Sequence, residues 1–429
     1  MLQSPDTNVG NNTSHKVVIP FYVYAAFSLL VATILLIFTT NAFNQHSFHP
    51  HTLAITHTMA LGWGTMMILG ASHQLVPVLI EGKLFSEWLA YLSFALAGAG
   101  IPLLVYSFFT FNLGWPAWIG GTLVNVAILF YIINLAISIL QSKQENVHAI
   151  FIFTAAAWLF MTTMVGLFLL FNFTLLIFPK DSIQYLSLHA HLGIVGWFLL
   201  MIIGVGSRLI PMFLISKYNN PNKLWLIYFL INAGLIVFIV QFIFFPDTFN
   251  YLLPLAFIII SLALFAQYCY SAYQQRIRRA VDEQIKISLI AVLMLALPII
   301  FLVIILFVLL ASAENSALVL SYGFSIFFGW ITAIILGMTF KTLPFIVWNK
   351  VYHKKAGLGK TPNPKDLFNN VVFKNMGVFY LLGFILFIAG ILWSDELLKK
   401  ISAFLLIVMA VLYNWNVFKI LLHKPVSYE

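Results

Sequence analysis

The chain has 429 residues, of which 62% are hydrophobic and only 8% charged, with a mean hydropathy of +0.98. That balance excludes a soluble domain and fits a multi-pass membrane protein in contact with the lipid bilayer. The net charge of +9 suits a basic face against anionic lipid and gives no reason to expect a nucleic-acid partner. A single cysteine, Cys269, excludes internal disulfides and thiolate metal clusters.

The polar N-terminal stretch 1–16 lacks a signal-peptide core, so the first apolar run is read as a retained transmembrane helix. Runs long enough to span, about 20 apolar residues each, fall at 17–42, 51–79, 84–111, 115–141, 148–178 and 183–215. Six more fall at 223–245, 249–272, 286–311, 315–348, 371–393 and 398–422. The expectation is an all-α, twelve-helix polytopic membrane protein, one transmembrane domain over 1–429, with both termini on one side. Lysine and arginine divide the loops unequally. Lys16, Lys83, Lys143, Lys217, Lys223, the cluster at 276–279, the stretch 349–355, Lys360, Lys365, Lys374, Lys419 and Lys424 fall on one side. Only Lys180, Lys399 and Lys400 fall on the other. The first side, with both termini, is predicted to be cytoplasmic, in a bacterial-type inner (plasma) membrane.

One stretch occurs three times. The second run reads "HTMALGWGTMMILGASHQLVP" from His57, the sixth "HLGIVGWFLLMIIGVGSRLIP" from His191 and the tenth "FSIFFGWITAIILGMTFKTLP" from Phe324. Gly-Trp, a second glycine and a proline keep identical spacing, at offsets of 134 and 133 residues. Each repeat therefore holds four helices, with approximate bounds 15–147, 148–281 and 282–425, and a pseudo-threefold arrangement is expected. The glycines allow close approach of a helix or a flat ligand. The prolines stand where they can end a helix at small cost. Arg208 and Lys341 lie near enough to that end to reach the headgroups.

His57, His189 and His191 lie inside predicted spans, where an unpaired polar group costs several kcal/mol, so they are the candidate site. Imidazole is also the commonest protein metal ligand. On an ideal helix His189 and His191 point about 200° apart, so only a distorted helix would aim both at one centre. Glycines beside them, Gly193 and Gly196 in one helix and Gly64 in the other, suggest a smooth groove. Possible accessory residues are Tyr322, which stands in the third repeat where His189 stands in the second, and His49 and His51 at the outer approach to the second helix. His73 lies about 24 Å deeper and cannot join the same centre. The residues alone leave four readings open. Two axial imidazoles hold a haem, three imidazoles hold one copper or zinc ion, the histidines line a metal-ion or proton pathway, or the chain is a cofactor-free scaffold. No broken helix or mid-membrane carboxylate in the sequence favours transport.

Three four-helix repeats, cytoplasmic termini and the outer histidine of the second helix resemble subunit I of the haem-copper oxidase superfamily, and "LVPVLIEG" at 75–82 is similar to the tail of that family's second helix. The resemblance implies that His57 is an axial ligand of a low-spin haem and that His189 or His191 corresponds to a copper ligand. The chain departs from the family in the tenth run, which has no histidine, in the seventh, which lacks the copper-binding pair, and after the sixth-run histidines, where the tyrosine is missing. The resemblance thus implies haem b and/or copper without a standard oxygen-reducing binuclear centre. In size and in its His-x-His pair the chain is also similar to the NnrS-type haem- and copper-containing membrane proteins. That likeness implies oxidoreductase work in respiratory or nitric-oxide-related metabolism, with respiratory or electron-transfer proteins as partners.

Overall fold

The structure is a computed structural model that describes residues 13–142, 146–277, 281–353 and 361–425. Lys143, Arg278, Arg279, Lys354, Lys355 and Lys360 lie outside the described residues. Twelve helices are long and apolar enough to cross a membrane: α1 (His15–Phe38), α2 (Pro50–Leu79), α3 (Glu87–Phe109), α4 (Trp115–Leu140), α5 (Val147–Leu175) and α6 (Ser182–Leu214), then α7 (Pro221–Phe244), α8 (Thr248–Gln274), α9 (Glu283–Leu310), α10 (Ser316–Tyr352), α11 (Asn370–Leu392) and α12 (Glu396–Leu421). No β-strand occurs among the described residues, apart from an isolated bridge between Ser216 and Arg276. Apolar runs of this length satisfy every backbone group internally only as helices.

Burial separates the helices into two sets. The apolar windows of α2, α6 and α10 are 78%, 61% and 72% buried, whereas no other helix exceeds 50%. These three helices form the centre, and each contains a π-helical segment: Thr58–Thr65, Leu192–Leu199 and Ser325–Ile331. Each segment carries the Gly-Trp pair of its helix. π-Helical turns are rare and mark places where side chains are re-aimed. His57, His191 and Phe324 each stand directly before one of them.

The recurring glycines are crossing points. A methyl group added at Gly70 would lie 2.6 Å from Phe21 Cβ of α1, at Gly204 2.5 Å from Phe151 Cβ of α5, and at Gly337 2.5 Å from Ser288 Oγ of α9. No side chain larger than hydrogen fits there without moving a neighbouring helix. The tryptophans tie the centre together. Trp197 Nε1 donates to Thr65 Oγ1 at 3.0 Å, and Trp63 Nε1 donates to Thr332 Oγ1 at 3.1 Å. Both threonines stand two residues after the tryptophan of their own helix; Leu199 occupies that place in α6 and offers no acceptor.

Three local expectations change. α10 does not end at Pro344 but continues to Tyr352. Lys341 does not reach headgroups alone, because its Nζ pairs with Asp282 at 2.6 Å. α9 is interrupted at Leu295, between Glu283–Met294 and Ala296–Leu310. Pro298 removes the N–H that would bond to the Met294 carbonyl, and its ring crowds that same carbonyl. Leu295 keeps helical dihedrals, so α9 runs on through this point with its hydrogen-bond ladder locally interrupted.

Lys399 is fully buried. Its Nζ donates to Asn44 Oδ1 at 2.6 Å and Thr40 O at 3.2 Å and pairs with Glu396 at 3.0 Å. Glu396 also accepts a hydrogen bond from the Thr40 hydroxyl. This network fastens the turn after α1 to the start of α12, so Lys399 is a clamp rather than a loop charge.

Candidate functional site

The leading ends of α2, α6 and α10 enclose a cavity of about 680 Å³, bordered by His46, His57, His189, His191 and Tyr322 among mostly apolar side chains. That volume falls in the usual range for small-molecule sites, about 300–1,000 Å³. Among the described residues no aspartate, glutamate, lysine or arginine lines it.

The backbone presets two of the imidazoles. His57 Nδ1 lies 2.8 Å from Leu53 O and His191 Nδ1 lies 2.8 Å from Ser187 O, each four residues back in its own helix. A carbonyl oxygen only accepts, so Nδ1 carries the proton in both rings and Nε2 keeps its lone pair. Metal-binding histidines are commonly oriented by such a bond. For His57 the ring is further held against Phe108, with centroids 4.3 Å apart.

His57 faces His189 and not its register mate His191. The His57 and His189 rings are 6.3 Å apart, centroid to centroid, and within 18° of parallel. Gly166 of α5 makes room for the second ring, since a methyl group there would lie 2.9 Å from His189 Cε1. His189 meets the Thr162 backbone, but its buried Nδ1 has no well-formed hydrogen bond. Of His57, His189 and His191 it is the imidazole least committed to protein partners.

His191 turns to the other neighbours. Its Nε2 lies 3.2 Å from the Tyr322 hydroxyl, and its ring is 5.2 Å from that of Phe238. Because Nε2 is the acceptor, Tyr322 donates. The divergence expected for residues two apart is thus present, and His189 and His191 border one cavity through different contacts.

The three imidazoles do not converge on a single ion: among the described residues no group of three or more His, Cys, Asp or Glu is arranged to hold a metal. The His191 nitrogens are engaged by Ser187 and Tyr322 instead. The glycine groove is corrected. A methyl group at Gly196 would lie 2.7 Å from Trp158 Cβ, and one at Gly64 2.8 Å from the Phe198 ring, so aromatic side chains already fill both places.

His49 and His51 stand apart from the cavity. His49 Nδ1 accepts from the His51 backbone N–H at 3.3 Å and caps α2, and the His51 ring lies over Phe109 with centroids 4.6 Å apart. Burial, and next to it the His51 ring, hold the His49 imidazole below its usual range. His46, three residues before His49, borders the cavity; nothing in its spacing marks it. His73 packs between Phe21 and Tyr131, at 5.3 and 5.6 Å, and neither of its ring nitrogens makes a well-formed hydrogen bond.

No protein-family model matches the chain, and no curated protein matches it.

Proposed function

We propose that the protein is a divergent relative of oxidase subunit I in which His57 of α2 and His189 of α6 would hold a haem b. The observation that carries the reading is the near-parallel pair of imidazoles at the cavity wall, 6.3 Å between centroids. The donor set fits: His57 Nε2 is freed by the Leu53 bond, and His189 lacks a firm partner. When bound, haem would supply one-electron transfer. His57 is held in orientation by Leu53 and Phe108, and His189 is seated on Gly166. The apolar lining keeps water from both. Copper is the second candidate for the same two imidazoles. Zinc fits less well, since structural zinc takes four ligands and only two are aligned here.

The finer architecture belongs to the same proposal. Three four-helix repeats surround a pseudo-threefold axis through the π-helical segments, with the basic loops and both termini on the cytoplasmic side of an inner membrane. Three features support it: the crossings at Gly70, Gly204 and Gly337, the cyclic order of the Trp–Thr bonds, and the lysine and arginine distribution. Electron-transfer proteins of respiratory or nitric-oxide metabolism are the corresponding partners.

A second reading, a metal-ion or proton pathway, is favoured by the interruption of α9 at Leu295. The cavity offers such a pathway no carboxylate. One experiment separates the readings. The purified protein is examined for its oxidised and reduced visible spectra and for iron, copper and zinc content. A haem spectrum lost in His57→Ala and His189→Ala is the expected result. Copper without haem moves the site to the second candidate. Absence of both in protein from haem- and copper-replete cells overturns the cofactor reading and leaves transport or scaffolding.

A further inference from the structure

The outer ring of helices is closed unevenly. α4 packs along α5, and α12 packs along α1, but from Leu252 onward α8 shares at most isolated contacts with α9. They approach only where the turn Thr248–Tyr251, at the leading end of α8, touches the second half of α9. Both helices have only 22% of their apolar windows buried. Behind the seam lies the cavity itself. Leu255, Ile258 and Leu262 of α8 border it from one side, and Pro298, Leu302 and Leu306 of α9 from the other. The outward residues of the same helices, among them Ile260, Ile300 and Phe307, are exposed. A gap between two lipid-facing helices admits what is dissolved among acyl chains.

The chemistry within the cavity narrows what that is. His191 Nε2 is already satisfied by the Tyr322 O–H. The phenol oxygen of Tyr322 keeps its acceptor capacity, and no proton of the pair remains to donate. A ligand meeting this pair is recognised by a hydroxyl of its own. Its remainder is apolar, as the lining requires. A transmembrane helix of another protein laid over the seam would cover Ile300 and Phe307 but would leave Tyr322 unreached.

We propose that the α8–α9 seam is a lateral portal through which a hydroxyl-headed amphiphile enters from the bilayer, its O–H donating to Tyr322 and its apolar body lying between α8 and α9. A phenolic lipid and an acylglycerol share this chemistry. The site lies on His191 and Tyr322, which border the same cavity as the His57–His189 pair through other contacts, and its argument does not use the haem reading.

The test is equilibrium binding to the full-length protein in phosphatidylcholine nanodiscs, with para-dodecylphenol, its methyl ether and dioleoylglycerol as probes. Saturable binding of the phenol is expected. The methyl ether, and the phenol on Tyr322→Phe, should each bind about tenfold more weakly, the worth of one hydrogen bond. Leu302→Trp, which fills the seam, should abolish binding while elution and helical circular dichroism stay unchanged. Dioleoylglycerol binding with the same dependence on Tyr322 supports the site and assigns it to acyl lipids. No saturable binding of either hydroxyl probe overturns the proposal, as does binding indifferent to both substitutions. Crosslinking of Phe307→Cys to another polypeptide, with no phenol binding, overturns it in favour of a protein cover. The visible spectrum of each sample is recorded alongside. Tyr322→Phe is expected to keep the wild-type spectrum, so failure of the portal and failure of the haem reading are seen separately.

Discussion

His57 of α2 and Phe324 of α10 hold the same place in their helices, directly before a π-helical segment, and the protein uses that place in opposite ways. The His57 ring is oriented by a backbone carbonyl and faces a second imidazole. Phe324 is one layer of an aromatic stack, with Phe328 at 4.6 Å and Phe387 at 4.4 Å, both within 13° of parallel, and Phe43 edge-on at 6.2 Å. One side of the centre keeps polar ring atoms available; the other fills the position with dispersion contacts. The same local backbone therefore presents an oriented imidazole or packs as core, depending on one side chain. The proposed two-helix site, with α10 left out, uses that division.

The division is broken most severely by removing an imidazole of the pair. His57→Ala and His189→Ala are each expected to lose the bound cofactor altogether, read as the visible spectrum and metal content of a normally eluting protein. His191→Ala should retain both, because its ring is committed to Ser187 and Tyr322. On the packed side, Phe324→Ala leaves a void among the rings of Phe43, Phe328 and Phe387. Its expected cost is about 3–5 kcal/mol, measured by denaturant titration in mild detergent. Equal cofactor loss in His191→Ala and His57→Ala would erase the distinction drawn here.

Two milder changes sharpen the contrast. Gly166→Ala places a methyl group against His189 and should weaken cofactor retention several-fold, on the order of tenfold, with little change in the unfolding midpoint; dissociation to an apo-haem acceptor reports it. Thr65→Val removes the acceptor of Trp197 and should cost about 1 kcal/mol, without touching the spectrum. If Thr65→Val bleached the chromophore, the central tryptophans would belong to the site.

Much of the fold is legible in the sequence because the bilayer demands it. The run read as 115–141 is the helix Trp115–Leu140, and 183–215 is Ser182–Leu214. The first run reads too long, to 42, because Thr39 ends the helix and a short 3₁₀ turn follows at Thr40–Asn44. The site is legible only in its residue types. His57, His189, His191 and Tyr322 stand out as polar groups in apolar runs. Which imidazole faces which depends on the π-helical turns and on Gly166, and neither leaves a periodic signal. Lys399 shows the same limit: its partners at Thr40 and Asn44 come from the far end of the chain, so sequence order hides the clamp.

The uneven burial of the helices bears on how the chain enters the membrane. α9, interrupted but with a mean hydropathy of 3.4 and 22% of its window buried, partitions into lipid on its own merit. α2, at 1.2 and 78% buried, is a poor solo candidate for insertion, since it carries its imidazoles, glycines and threonines into hydrocarbon before their partners arrive. Its early neighbour α1, which crosses it at Gly70, is made first and can shelter it. The central helices are thus the ones whose insertion depends on company, and the helices at the rim are the ones that supply it.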